Sequence, residues 1–180
     1  MTTDGENIFG AIKQVRTFFG EIARMLNDCD RLMNERGWDT VSTAIISGNS
    51  TSINIPNKWI PYAVNRIYLK KDVKHTTKSI AVIFDDEWKT RLKEPVIVGS
   101  TYKTVDEQLD TLNAWDHSWW WLEFTNGNAD GQVTRIDDSA RESKYFIRFD
   151  DIRLFGLPMT SVSNTDSIRL RVVDVLAAEQ

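Results

Sequence analysis

Cysteine occurs once in the 180 residues, at Cys29, so no intramolecular disulfide can form. Histidine occurs twice, at His75 and His117, which excludes a histidine-rich metal centre and leaves a zinc–thiolate site only one sulfur. No apolar run is longer than Ile80-Ala81-Val82-Ile83-Phe84, far short of the ~20 residues of a membrane helix. The phosphate-cradling Gly-x-x-x-x-Gly-Lys-Ser/Thr loop, the Gly-x-Gly-x-x-Gly turn and the Gly-x-Ser-x-Gly elbow are all missing. Those absences remove most nucleotide-binding and serine-hydrolase chemistry. No repeat or low-complexity tract breaks the chain.

Charge of one sign is also scarce. A net charge of −4 is too small to specify a nucleic acid or a membrane as partner. Its distribution is uneven: residues 58–93 are predominantly basic, and residues 104–130 carry acids without a single Lys or Arg. The start, Met1-Thr2-Thr3-Asp4-Gly5-Glu6, has neither the basic region nor the apolar region of a secretion signal. The expected location is therefore cytoplasmic, with no membrane association.

What the chain does have begins with its N-terminus. Ile8, Ile12, Val15, Phe19, Ile22, Leu26, Cys29 and Met33 recur at alternating steps of four and three, and Ala11, Phe18, Met25 and Leu32 recur every seven. The first row is the seam of a helix and the second widens it into a stripe. This spacing predicts a helix over about 6–36, roughly 45 Å long at 1.5 Å per residue. Thr3 and Glu6 suit a capping box, and Arg36-Gly37 suits a C-terminal stop. Residues 1–37 form this helix and 38–180 a β-rich part, expected to fold as one unit with it. A stripe this long either covers a sheet of its own chain or pairs with another helix. For the second role the candidate interface residues are Ile12, Phe18, Phe19, Ile22, Met25 and Leu26.

Beyond Gly37 the pattern predicts strands. Thr40–Ser47 and Ser50–Ile55 flank the turn signal Gly48-Asn49. Tyr62–Leu69 and Ser79–Phe84 flank a basic loop, Lys70–His75. Pro95–Val98, Thr101–Thr104, Trp119–Thr125, Gln132–Ile136, Tyr145–Leu154 and Ser167–Leu176 complete the set, and Val105–Trp115 reads as a short helix. In Tyr145–Leu154 the apolar parity slips by one at Asp150-Asp151, which predicts a β-bulge or a strand break there. Hairpin-length connections favour a mainly antiparallel sheet, so the fold class expected is α+β, a long N-terminal helix on that sheet. A β-sandwich of jelly-roll type carrying the helix is the alternative. The segment Tyr145-Phe-Ile-Arg-Phe-Asp-Asp-Ile-Arg-Leu-Phe is similar, over those eleven residues, to the closing strands of carbohydrate-binding jelly rolls.

Seven tryptophans stand at 38, 59, 88, 115, 119, 120 and 121. On a strand Trp119, Trp121 and Glu123 would share one face. An accessible indole beside an acid is a stacking platform for a sugar, a base or a cation, so these three are the candidate ligand-binding residues. Three Asp-Asp pairs lie at strand ends, at 85–86, 137–138 and 150–151. Converging carboxylates of Asp85, Glu87, Asp150 and Asp151 would hold a hard divalent ion, Mg²⁺ or Ca²⁺. Glu87-x-Lys89, with Asp72 upstream, adds the pattern of a metal-dependent nuclease. No cofactor is expected beyond that divalent metal.

Three functions follow from these residues. The leading one is a non-enzymatic cytoplasmic interaction module that self-associates or binds a protein partner through its N-terminal helix and Trp-rich strand. The others are a small-molecule or carbohydrate-binding module on Trp119 and Trp121, and a metal-dependent hydrolase or nuclease. Nucleic acid is disfavoured as a partner, because the Lys70–Lys78 loop has no aromatic interleaving.

Overall fold

A computed structural model describes residues 4–41, 45–47, 54, 60–84, 92–104, 121–122, 125–136 and 149–178. Helix α1 spans Asp4–Asn34, two residues earlier at each end than its periodicity predicts. Asp4 and Glu6 lie in its first turn and Arg31 in its last, each where the helix dipole favours its charge. Its end is a full Schellman stop. Gly37 sits at φ 77°, its N–H donates to the Asn34 carbonyl, and the Trp38 N–H reaches back to the Met33 carbonyl. Trp38 and Met33 are both buried in the same core, the apolar contact that accompanies this motif.

The strands are β1 (Asp39–Thr40), β2 (Ile45–Ser47), β3 (Ala63–Lys70), β4 (Val73–Ile83), β5 (Val96–Thr104), β6 (Thr134–Ile136) and β7 (Phe149–Pro158). All pairings are antiparallel, in the order β1-β3-β4-β5-β7-β6, with β2 sharing the β1 edge of β3. The β3–β4 turn is tighter than the basic loop suggests: Lys70 already pairs with Val73. The two short strands expected around Gly99 are one continuous strand, β5.

Both faces of the sheet are covered. Val64, Tyr68, Ile80, Val82, Ile97, Phe155 and Leu157 face α1 and the C-terminal helix, while Ala63, Ala81, Ile83, Val96, Val98, Ile152 and Leu154 face the opposite way. Double coverage is why Ile80–Ile83 reads as an unbroken apolar run. The fold is α+β. The described residues build one open sheet, not the two of a sandwich.

The expected bulge is present. Lys103 pairs with Asp151 and Thr104 with Phe149, so Asp150 has no opposite number and parity inverts there.

One expected strand, and the described residues of a second, are helical. Residues 165–178 form helix α2, with α-helical Thr165–Ile168, a π stretch at Arg169–Val173 and α-helix again over Asp174–Ala178. The alternation Ile168, Leu170, Val172 imitates a strand, but Ile168, Val172, Val173 and Leu176 are the side chains that enter the core, and Leu170 stays exposed. Their spacing is helical, and Asn164 with Ser167 forms a capping box that starts the helix. Trp121, Leu122 and Thr125 are also helical, and the Thr125 hydroxyl donates to the Trp121 carbonyl. The expected helix 105–115 and most of the expected strand 50–55 lie outside the described residues.

Candidate functional site

The two halves of α1 meet different surroundings. From Ile22 onward its stripe is core: Ile22, Met25, Leu26, Cys29, Leu32 and Met33 are buried against the sheet and α2. Before Phe18 the same stripe is open, with Ile8 63%, Phe9 58%, Ile12 45% and Val15 41% exposed. Phe18 and Phe19 mark the boundary. Both are half-buried, and their rings stack edge-on around Phe84 at the end of β4, with centroids 5.2–5.7 Å apart. The helix therefore leaves the sheet as an arm, residues 4–17, about 20 Å long.

On this arm Ile8, Ile12 and Val15 continue the seam, Phe9 flanks it, and the Lys13 ammonium stands 4.5 Å from the centre of the Phe9 ring. Asp4 and Glu6 precede the apolar residues, and Lys13 and Arg16 follow among them. Contiguous exposed apolar side chains are a common feature of surfaces that associate.

The interface expected from the sequence is thereby divided. Ile12 is exposed and Phe18 and Phe19 are half-buried, but Ile22, Met25 and Leu26 belong to the protein's own core and are unavailable to a partner. Ile8, Phe9 and Val15 stand open on the same helix. The heptad row contains Ile8 and Val15 already; only the end of the sheet at Phe84 separates them from the buried half.

The Trp platform is also corrected. Trp121 is fully buried, with its indole pressed on Gly156, so it offers no stacking surface. Trp119 and Glu123 lie outside the described residues.

Of the expected carboxylate site, only Asp150 and Asp151 lie among the described residues. Asp85 and Glu87 lie outside the described residues, as do Lys89 and the 137–138 pair. The bulge turns the third pair apart: Asp150 is exposed, whereas Asp151 is buried and accepts from Arg135 Nε and Arg153 Nε, each at 2.9 Å. Two guanidinium groups make that carboxylate an ion-pair centre. Among the described residues no three His, Cys, Asp or Glu side chains cluster as metal ligands.

A polar cluster lies under α1. Tyr68 donates to Asp30 at 2.9 Å, and Arg66 Nε stands 3.2 Å from the other Asp30 oxygen. Burial, then the neighbouring charges of Asp30 and Asp28, push the Cys29 thiol up to about 12. Burial also pushes the Tyr68 phenol well above its ordinary value, with Cys29, Asp30 and the bond to Asp30 adding to it. Nearby, the fully buried Lys78 donates to the Leu176 carbonyl and lies 4.9 Å from the Trp38 ring centre. These groups are closed between helix and sheet and work as a clamp. A depression of about 250 Å³ lies between Leu92–Glu94 and Gly127–Ala129. It falls below the ~300–1,000 Å³ of ligand pockets, and Glu94 there already accepts from Thr160.

No family model, curated protein or solved structure matches the chain. No helix among the described residues is long and apolar enough to cross a membrane.

Proposed function

We propose that this protein is a cytoplasmic interaction module, not a catalyst, and that the arm of α1 is its docking element. The observation that carries this is the open seam of Ile8, Phe9, Ile12 and Val15 on a helix whose other half is core. A helical segment of about fourteen residues is marginal alone in water, so the arm depends on its packed half for nucleation and gains stability from any partner that covers it. The buried Cys29 thiol suits a reducing compartment.

The test uses a dye that fluoresces on apolar surface. The intact chain binds it, and Ile8→Asp with Ile12→Asp abolishes the signal while the melting temperature holds, because exposed positions contribute within about 0.5 kcal/mol. Dye binding that survives both changes, or melting several degrees lower, overturns the docking role.

A further inference from the structure

We infer that the loop over residues 126–132, between the Trp121 helical segment and β6, is a binding site for Ca²⁺. The inference shares no residue with the α1 arm and stands apart from the docking role.

The ligand pattern is in the sequence. Asn126-Gly127-Asn128-Ala129-Asp130-Gly131-Gln132 sets oxygen-bearing side chains at its first, third and fifth places and a glycine at its sixth. Twelve-residue calcium loops use this spacing. Side chains at places 1, 3 and 5 and the main-chain carbonyl of place 7 supply oxygens, and glycine at place 6 makes the sharp turn. Place 7 is Gln132, and place 12, kept for an acid, is Asp137 in the sequence. The chain departs from the pattern with Asn at place 1, where Asp is usual, and with Asp for Glu at place 12. No Lys or Arg interrupts Asn126–Thr134, so no cation competes within the loop.

The structure presents those places together. Asn126, Asn128, Asp130 and Gln132 are exposed, while Gly127, Ala129 and Gly131 between them are half-buried. The candidate ligands therefore share the outer side, and the inner side is anchored. Ala129 packs against the core cluster that contains Trp121 and Leu154. The Asn128 N–H donates to the Thr125 carbonyl at 3.0 Å, and the Gly131 N–H to the Gly156 carbonyl of β7 at 2.9 Å. Gly131 has φ 80°, and a Cβ there would lie 2.8 Å from Leu157 Cδ2, so place 6 requires glycine on two counts.

Two of the side-chain heads already meet. Asn128 Nδ2 donates to Asp130 Oδ2 at 2.9 Å, and the Gln132 N–H donates to Asp130 Oδ1 at 2.9 Å. A half-turn of the Asn128 amide presents its Oδ1 instead, and each Asp130 oxygen keeps a further lone pair. Neutral amide and carbonyl oxygens on a pliable loop suit Ca²⁺, which accepts six to eight ligands in flexible geometry. Mg²⁺ demands a strict octahedron and gives up its water reluctantly. So few charged ligands place the loop at the weak end of its kind, with Kd of about 10⁻⁴–10⁻³ M. At that affinity the loop fills only where Ca²⁺ approaches millimolar, so the titration below also bears on the cytoplasmic assignment.

The experiment titrates the full chain, freed of metal by a chelator, with Tb³⁺, which occupies Ca²⁺ sites and luminesces when a nearby indole passes it energy. Trp121 supplies that indole: it lies against Gly156, whose carbonyl holds Gly131. Luminescence is expected on tryptophan excitation, displaced by Ca²⁺ but not by equal Mg²⁺. Asp130→Asn weakens binding by about tenfold or more, because ligand charge sets affinity in such loops. Asn126 has φ 52°, so Asn126→Gly keeps the left-handed backbone, removes only the oxygen, and weakens binding severalfold without lowering the melting temperature of the metal-free chain. Should Asp130→Asn fail to fold, Asn128→Ala takes its place. Asp150→Asn, exposed elsewhere on the sheet, changes nothing. Absence of luminescence overturns the site, as does equal displacement by Mg²⁺. Binding indifferent to Asn126→Gly and Asp130→Asn, or lost in Asp150→Asn, also overturns it, because the ion is then held by diffuse surface charge.

Discussion

Phe19 meets Phe84 edge to face, with ring centroids 5.2 Å apart and planes at 76°, at the point where α1 departs from the sheet. Edge-on aromatic pairs are worth about 0.5–1.5 kcal/mol beyond their buried area, so this contact fixes where the packed half begins. Phe84→Ala loosens it and moves the boundary toward Ile22. Amide exchange is expected to accelerate over residues 16–21 and to stay slow from Leu26 onward. Uniform acceleration along α1 would show that the boundary is set elsewhere.

Gly156 is the floor beneath the Trp121 indole. A Cβ there would run into the ring, and one at Gly99 would run into the Phe155 ring. Overpacking a tight core costs about 1–3 kcal/mol. Gly156→Ala and Gly99→Ala are each expected to lose that much in denaturant titration. Gly10→Ala, where a Cβ meets nothing within 4 Å, is expected to gain about 1 kcal/mol from helix propensity.

The bulge makes a sharp prediction about neighbouring residues. Asp151→Ala leaves Arg135 and Arg153 without the carboxylate they share and is expected to cost about 1–3 kcal/mol. Asp150→Ala, one residue away and exposed, stays within about 0.5 kcal/mol. Equal effects in chemical denaturation would refute the inversion of parity between them.

Stability is expected to fall in alkali. The folded state holds the Cys29 proton up to about 12, against 9.0 for the free thiol, and raises the Tyr68 phenol from 10.0 as well. A raised pKa means that the folded state binds the proton more tightly than the unfolded state. The contribution is therefore complete below about pH 9 and is lost as the pH climbs from there through the folded values. The urea midpoint should hold from pH 7 to 8.5 and decline beyond. Cys29→Ala should flatten the first part of that decline, and native Cys29 should resist thiol reagents at pH 8.

Legibility in the sequence followed the kind of signal. Helix α1 was readable because eight apolar residues keep one period and Arg36-Gly37 supplies the stop. The bulge was readable because parity on a strand is binary, and one slip at Asp150-Asp151 inverts it. Helix α2 was not, because Ile168, Leu170 and Val172 alternate as a strand does, and the Asn164/Ser167 box was the signal passed over. The Trp119–Trp121 run carries no period at all, so nothing local told a buried helical Trp121 from an exposed strand. The proposed docking face was half legible: a heptad row does not reveal where its covering ends. That limit is tertiary, set by the length of β4 and the position of Phe84.

The outer ranks of the sheet carry a consequence of their own. On one side stand β1 and β2, of two and three residues, and on the other β6, of three. Strands so short offer an incoming chain few main-chain donors and acceptors to copy, which is how natural sheets discourage edge-to-edge growth. Among the described residues, the outermost strands are thus poor templates for an added strand. Association through the proposed arm would instead rest on side chains of a helix, where a single charge reversal can change the choice of companion.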